Sequence, residues 1–211
     1  MRRQSLSEAR MILIILGVVW LATLFFFPPA SVLAALAILF TVYFFRDPRR
    51  VPPADDRLAV SPADGKVVAV EVCDGDGLIA GPVRRVVIFL SVLDVHINRA
   101  PIAGVVTQSE PAGGLFLDAR NPLSSIKNAR RTWVIRGSDG AVVVRQITGA
   151  IARRIVAWKQ VGDYLDRGAR FGMIRFGSRT EVDFPESFEI LVKPGERVAG
   201  GQTAIARLPK K

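Results

Sequence analysis

Gly162-Asp163-Tyr164-Leu165-Asp166-Arg167-Gly168 recurs 33 residues downstream as Gly195-Glu196-Arg197-Val198-Ala199-Gly200-Gly201. Both copies read glycine, acid, any residue, aliphatic, two further residues, glycine, and a β-type run follows each. Glycines at the two ends of such a unit suit tight turns that need positive φ. Two copies of one turn–strand–turn unit predict a pseudo-symmetric β fold, a hybrid of barrel and sandwich.

The sequence around the repeat agrees. Runs of β-type residues fall at Gly65–Val72, Arg84–Leu93, Gly104–Ser109, Arg131–Arg136, Ala141–Thr148, Ala152–Trp158, Arg170–Phe176, Phe188–Val192 and Thr203–Leu208. Ser61-Pro62, Asp74-Gly75, Asp139-Gly140 and Pro194-Gly195 punctuate them as turns. Spacings near ten residues with little helical periodicity indicate a mainly β domain. Leu115–Ala129 is polar and irregular and reads as a loop or short helix.

Upstream, Met11 to Phe45 contains no charged residue and is divided by Pro28-Pro29. Its halves, Met11–Phe27 and Ala30–Phe45, are each slightly short of the roughly 20 residues a spanning helix needs. Arg2, Arg3 and Arg10 precede the first half, and Arg46, Arg49 and Arg50 follow the second. Positive charge at both ends predicts a helical hairpin with both ends in the cytoplasm. A cleaved signal peptide is the competing reading, but its best small-x-small site, Ala35-Leu36-Ala37, lies inside the second apolar run. The expected organisation is a membrane-anchoring hairpin over residues 1–46 and a β-rich domain over 47–211. The expected location is the inner (plasma) membrane, with the domain on the cytoplasmic face.

The formal net charge is +10, carried mainly by arginine. Aromatics are not interleaved with the basic residues and no nucleic-acid motif is present, so anionic lipid is the simpler partner. Cys73 is the lone cysteine, which rules out an internal disulfide, and it reads as a small residue at a strand end. His96 is the lone histidine, which excludes a multi-histidine metal site; no metal is expected.

Two Gly-Ser pairs occur. Gly137-Ser138 continues into Asp139-Gly140 and reads as a hairpin turn. Gly177-Ser178 differs in its setting: a strand-like run leads into it, and the extended Arg179-Thr180-Glu181-Val182-Asp183-Phe184-Pro185 leaves it. Glycine there permits a strained turn in which a serine oxygen reaches the preceding carbonyl.

Four blocks, in order, carry a family resemblance: Phe44-Phe45-Arg46-Asp47-Pro48, Ser61-Pro62-Ala63-Asp64-Gly65-Lys66-Val67, Asp94-Val95-His96-Ile97-Asn98-Arg99-Ala100-Pro101, and Phe176-Gly177-Ser178. The chain resembles the phosphatidylserine decarboxylases, in particular their small, membrane-anchored branch. The resemblance implies self-processing: Ser178 attacks the Gly177 carbonyl, leaving a β chain of residues 1–177 and an α chain of 178–211 headed by a pyruvoyl group. Such a group serves as the covalent cofactor, because amino-acid decarboxylation needs an electron sink that no ordinary side chain offers. It also implies a phospholipid substrate, with phosphatidylserine converted to phosphatidylethanolamine, and lasting association of the two chains. A homo-oligomer is left open, and another serine phospholipid such as archaetidylserine is an alternative substrate.

The catalytic residues so implied are Ser178, His96 and Asp64. His96 suits proton transfer near neutral pH, and Asp64 matches an aspartate associated with self-cleavage, although Ala-Asp-Gly is also an ordinary turn. Arg99 stands where larger members of the family carry a second histidine, which leaves the activator of Ser178 open. Arg99, Lys127 and Asn128 are candidates for the lipid phosphate. Outside enzymology, the alternative is a membrane-tethered β-barrel adaptor or carrier. The carrier form wants a modifiable lysine at a hairpin tip, and neither copy of the repeat has one.

Overall fold

The computed structural model describes residues 3–150, 154–175 and 178–209, and its contacts divide the chain into two units, Met1–Pro48 and Arg49–Lys211. The first unit holds two apolar helices, α1 (Arg3–Phe26) and α2 (Pro28–Phe44). Pro28 and Pro29 open α2, where an amide N–H would lack an intrahelical partner anyway. The Ser5 hydroxyl donates to the Phe45 carbonyl, which sets the start of α1 beside the end of α2. The expected helix starting at Met11 begins a full two turns earlier, because Gln4 to Arg10 continue it without a breaker. Gln4–Phe26 is consequently long and apolar enough to cross a bilayer, with mean hydropathy 2.3, whereas α2 is shorter.

The second unit is built of strands, and the structure as a whole is 40% strand and 22% helix. In chain order they are β1 (Leu58–Val60), β2 (Gly65–Asp74), β3 (Pro82–Leu90), β4 (Ile97–Arg99), β5 (Gly104–Ala112), then the one-turn helix α3 (Ser124–Lys127), β6 (Arg130–Gly137), β7 (Gly140–Ile147) and β8 (Arg154–Ala157). There follow β9 (Tyr164–Leu165), β10 (Arg170–Arg175), β11 (Ser178–Pro185), β12 (Glu189–Ile190), β13 (Arg197–Val198) and β14 (Ala204–Arg207). Eight of them form one curled sheet in the order β13-β2-β3-β11-β7-β6-β5-β9, flanked by β1-β14-β12 and β4-β10-β8.

The repeat read in the sequence is the edge of this sheet. β9 closes it beside β5 and β13 closes it beside β2, with registers Val105↔Tyr164 and Lys66↔Arg197. Gly162, Gly168, Gly195 and Gly201 all have positive φ. A second repeat, displaced by 39 residues, went unread: β1-turn-β2 matches β4-turn-β5, with Ser61-Pro62 facing Ala100-Pro101 and Gly65 facing Gly104. The hydrogen bonds repeat as well. Val67 N–H donates to Glu196 O (2.9 Å) and Gly195 N–H to Val67 O (2.8 Å); Val106 N–H donates to Asp163 O (2.9 Å) and Gly162 N–H to Val106 O (2.8 Å). Even the bulges coincide, after Val67 in β2 and after Val106 in β5. The two halves are thus related by a pseudo-twofold through the sheet centre.

One face of the sheet packs on the main core, including Val86, Ile88, Trp133, Val144, Val182 and Phe184. Trp133 sits 4.9 Å from Phe171 and Phe184 stacks on Phe188 at 5.5 Å, each pair adding to its burial about 0.5–1.5 kcal/mol. The other face is covered too. Ile79, Val83, Val134, Ala141 and Val143 form a second cluster, and β11 is buried from Ser178 to Phe184 without alternation.

The runs expected as strands are strands, with ends shifted by a few residues; of Ala152–Trp158, residues 152–153 lie outside the described residues. The short extended segment after Ser178 is an eight-residue central strand. Its charged residues, Arg179, Glu181 and Asp183, are all buried as ion pairs. The irregular stretch 115–129 is a loop containing α3.

Candidate active site

Ser178 begins β11, opposite Leu90 of β3, at the centre of the sheet. It is fully buried, and its hydroxyl has no hydrogen-bond partner among the described residues. A buried hydroxyl without a partner costs about 1–3 kcal/mol, so such a group calls for an explanation in function. Gly177, the other half of the expected cleavage bond, lies outside the described residues.

Next on the same face of β11 is Thr180, the end of a buried polar chain. Trp133 Nε1–H donates to Gln146 Oε1 (2.7 Å), Gln146 Nε2–H to Asn98 Oδ1 (2.8 Å), and Asn98 Nδ2–H to Thr180 Oγ1 (3.1 Å) and Pro62 O (3.3 Å). Every member has its donors and acceptors in one direction, so the chain fixes each amide orientation. It ties β4, two residues beyond His96, to β11, two residues beyond Ser178. Asn98, Gln146 and Thr180 were not singled out from sequence; a fully buried amide and hydroxyl leave no trace in spacing.

His96 is fully buried. Its Nδ1 lies 2.9 Å from the Asp94 carbonyl. A carbonyl can only accept, so Nδ1 carries the proton and Nε2 is the basic nitrogen of the neutral ring. The His96 carbonyl accepts from Ile174 N–H (3.1 Å), four residues before Ser178. Asp94 holds this backbone in place: its carboxylate accepts from Ser91 N–H and Ser91 Oγ, both at 2.8 Å, and pairs with Arg197.

Asp64 occupies the β1–β2 turn. Arg50 Nη2 donates to it at 2.6 Å and Gly200 N–H at 2.7 Å. Burial pushes its carboxyl above the usual range, against the lowering effects of Gly200, Arg50 and Arg99. Arg99 is buried, with Nη1 3.1 Å from the Gly168 carbonyl. Its stem runs through the space Gly201 leaves free, since a Cβ there would stand 2.7 Å from Arg99 Cδ. Asp64 and Arg99 are therefore close enough to influence each other, with Asp94 in the same field.

Lys127 and Asn128 lie apart from this cluster, in the loop between β5 and β6. Lys127 is exposed at the end of α3. Asn128 clasps the loop: its amide donates to Leu117 O and Thr148 O and accepts from Leu117 N–H, all at 2.8 Å.

Behind β11, on the face away from Ser178, Asp183 binds Arg85 through both oxygens (2.7 and 2.9 Å) and Arg145 at 2.6 Å. Arg145 reaches on to Asp76, and Glu181 takes Arg179 at 2.7 Å and Ser125 Oγ at 2.5 Å. A cavity of about 670 Å³ opens at Arg57, Leu58, Ile102, Ala103 and Gly137, away from all of the candidate catalytic residues. By the 39-residue relation, Arg57 matches His96 and Ala103 matches Asp64, so this cavity is the pseudo-symmetric mate of the candidate site.

Comparison with known proteins decides the family. Residues 37–206 match the model of the family described as phosphatidylserine decarboxylase. This chain belongs to the phosphatidylserine decarboxylase family. It is 51% identical to the phosphatidylserine decarboxylase proenzyme of Symbiobacterium thermophilum over 85% of this chain and 84% of the relative. The proenzymes of Trichlorobacter lovleyi and Salinibacter ruber are 45% and 42% identical, over 91% and 92% of this chain and 87% and 86% of theirs. As a phosphatidylserine decarboxylase it is a carboxy-lyase, and its matched region includes every candidate catalytic residue named above.

Proposed function

We propose that this chain is a proenzyme that cleaves itself between Gly177 and Ser178 and then decarboxylates phosphatidylserine to phosphatidylethanolamine. The observation that carries the reading is the buried Ser178 hydroxyl, without a partner among the described residues, at the head of a central strand. In the proposed processing, Ser178 Oγ adds to the Gly177 carbonyl and the peptide bond gives way to an ester. Elimination releases residues 1–177 with a new carboxylate, and hydrolysis of the remaining enamine-derived imine releases ammonia. His96 Nε2 takes the hydroxyl proton in this scheme, supported by the Nδ1 contact that fixes the tautomer. That assignment also answers for Arg99 standing in place of a second histidine.

The site fits a pyruvoyl group, because the serine that would give rise to it is enclosed, has a hydroxyl without a partner among the described residues, and is flanked by fixed polar groups. Such a group supplies an electrophilic carbonyl for the substrate amine and a sink for the electrons left when carbon dioxide departs. The chain's own residues then bind and protonate: His96 returns a proton to the substrate carbon, while Asp64, held by Arg50 and Gly200, fixes the turn beside it. Arg99 is assigned to the lipid phosphate; of the other two candidates, Asn128 is buried with its amide committed to Leu117 and Thr148, and Lys127 is exposed on the same loop, apart from Arg99. The two fragments stay together because β11 lies between β3 and β7, and because Asn98–Thr180, Asp64–Gly200 and Arg85–Asp183 all cross the cleavage boundary.

The α1–α2 pair is assigned to the inner membrane, with both ends and the β domain on the cytoplasmic side. Intact-mass spectrometry tests the core of the reading: active protein contains two chains of residues 1–177 and 178–211, and Ser178→Ala remains a single 23.0 kDa chain without activity. Active enzyme consisting of one uncut chain overturns it.

A further inference from the structure

The two halves of the domain differ in one connection. β2 joins β3 through residues 75–81, whereas the equivalent β5–β6 connection takes residues 113–129. The fold closes this turn in seven residues on one side, so the ten additional residues on the other serve something besides the fold.

Those residues are held firmly. Leu115 N–H donates to Lys127 O (2.7 Å) and Ala129 N–H to Leu115 O (3.0 Å), while Asn128 clasps Leu117 and Thr148. Gly114 permits the closure, since a Cβ there would lie 2.4 Å from Lys127 O. From this rigid base the loop presents apolar side chains outward. Leu115, Phe116, Leu123 and Ile126 are exposed, Ile126 by 73%. Lys127 stands exposed among them, and Arg120, also exposed, is paired with Asp118 of the same loop. Apolar residues interleaved with bases on a fixed loop match the interface of an anionic bilayer: side chains enter the acyl boundary and the bases meet the head groups.

The base of the loop also lies at the end of the sheet where β11 begins, since Arg130 aligns with Ile147 and Ile147 with Arg179. Ser125 Oγ further binds Glu181, three residues beyond Ser178. We propose that loop 113–129 is a second membrane contact, independent of α1 and α2, that seats the Ser178 end of the domain on an anionic lipid surface. The inference rests on the reading that the chain works at a membrane.

The test uses the full chain with Cys73→Ser and an environment-sensitive fluorophore on Ile126→Cys, against a control label on Ser138→Cys at the β6–β7 hairpin. With vesicles of mixed phosphatidylglycerol and phosphatidylcholine, the label at 126 shifts to shorter wavelength and is quenched by spin labels in the acyl chains; the label at 138 is not. Equal, water-like emission at both sites overturns the proposal. So does a shift at 126 that ignores the acyl-chain quenchers and grows with protein density, which marks a second copy as the occupant. Ile126→Asp is expected to lower turnover of vesicle substrate roughly tenfold, the equivalent of one aliphatic side chain left unburied, with turnover of dispersed short-chain substrate unchanged. An equal loss on both substrates also counts against the loop. The labels are read equally well in Ser178→Ala, so failure of insertion is distinguishable from failure of self-cleavage.

Discussion

Asp183→Asn probes the charge cluster that backs β11, the strand headed by Ser178. The substitution keeps the shape of the side chain and removes its charge. Asp183 is 1% exposed and holds two guanidinium groups, Arg85 and Arg145, at 2.6–2.9 Å. Removing one partner of a buried ion pair costs about 3–5 kcal/mol, because the remaining charge is left desolvated. Here the lower end applies, since Arg145 retains Asp76 at 2.6 Å and Arg85 has Glu181 at 3.8 Å. For a domain of this size each kcal/mol moves Tm by about 2–4 °C, so a loss of about 3 kcal/mol lowers it by roughly 6–12 °C. The assay is thermal unfolding in detergent followed by tryptophan fluorescence, which reports on Trp133 in the core. It is done in the Ser178→Ala chain, so that the proposed self-cleavage cannot mix unfolding with separation of fragments. Asp118→Asn is the control, because Asp118 and Arg120 form an exposed pair whose removal leaves Tm unmoved. A fall of less than about 3 °C for Asp183→Asn refutes the reasoning, since it means the cluster is no tighter than a surface pair.

Two further outcomes follow from the site and its turns. Asp64 has a raised carboxyl pKa, so its contribution to stability is present in full below the unfolded value of 3.8 and is lost as pH rises through the folded value; with both chains in the Ser178→Ala background, the Tm difference between Asp64 and Asp64→Asn therefore declines as pH rises through that folded value, and a constant difference speaks against a buried Asp64. Gly65→Ala and Gly104→Ala set a Cβ at 2.2 Å from Phe89 O and 2.4 Å from Arg136 O, and each lowers stability in urea by roughly 1–3 kcal/mol. Gly113→Ala meets nothing within 4 Å and leaves the urea midpoint in place.

What could be read from the sequence was whatever depends on turn chemistry and block order. The Gly162 and Gly195 units announced the sheet edges because only glycine fits their positive φ comfortably. Ser178, His96 and Asp64, the proposed site residues, stand out in the sequence as parts of ordered blocks. Less legible was anything decided by tertiary cover. β11 carries Arg179, Glu181 and Asp183 on one face, and it is their ion pairs, with Arg85 and Arg145 on the neighbouring strands, that let this face be buried. Asn98, Gln146 and Thr180 come from three distant segments, and nothing in their local sequence marks them as partners. The 39-residue repeat was hidden because its halves share little beyond proline, glycine and apolar character, which is all the turn requires.

That hidden repeat supplies an internal control on the functional reading. Both halves keep what the architecture needs: Pro62 and Pro101, Gly65 and Gly104, and the paired bonds at Val67 and Val106. Where they differ, the fold has no say, and the difference must come from something else. Asp64 corresponds to Ala103 and His96 to Arg57, so the aspartate–histidine combination stands at one end of the pseudo-twofold and is replaced by alanine and arginine at the other. The end that lost it, or never had it, holds an open cavity; the end that has it encloses the Ser178 hydroxyl. Ser178 therefore gains its significance from asymmetry. A fold that can be completed without Asp64, His96 and the long β5–β6 loop contains all three at the end where β11 begins, and chemistry at Ser178 is the economical reason for that coincidence.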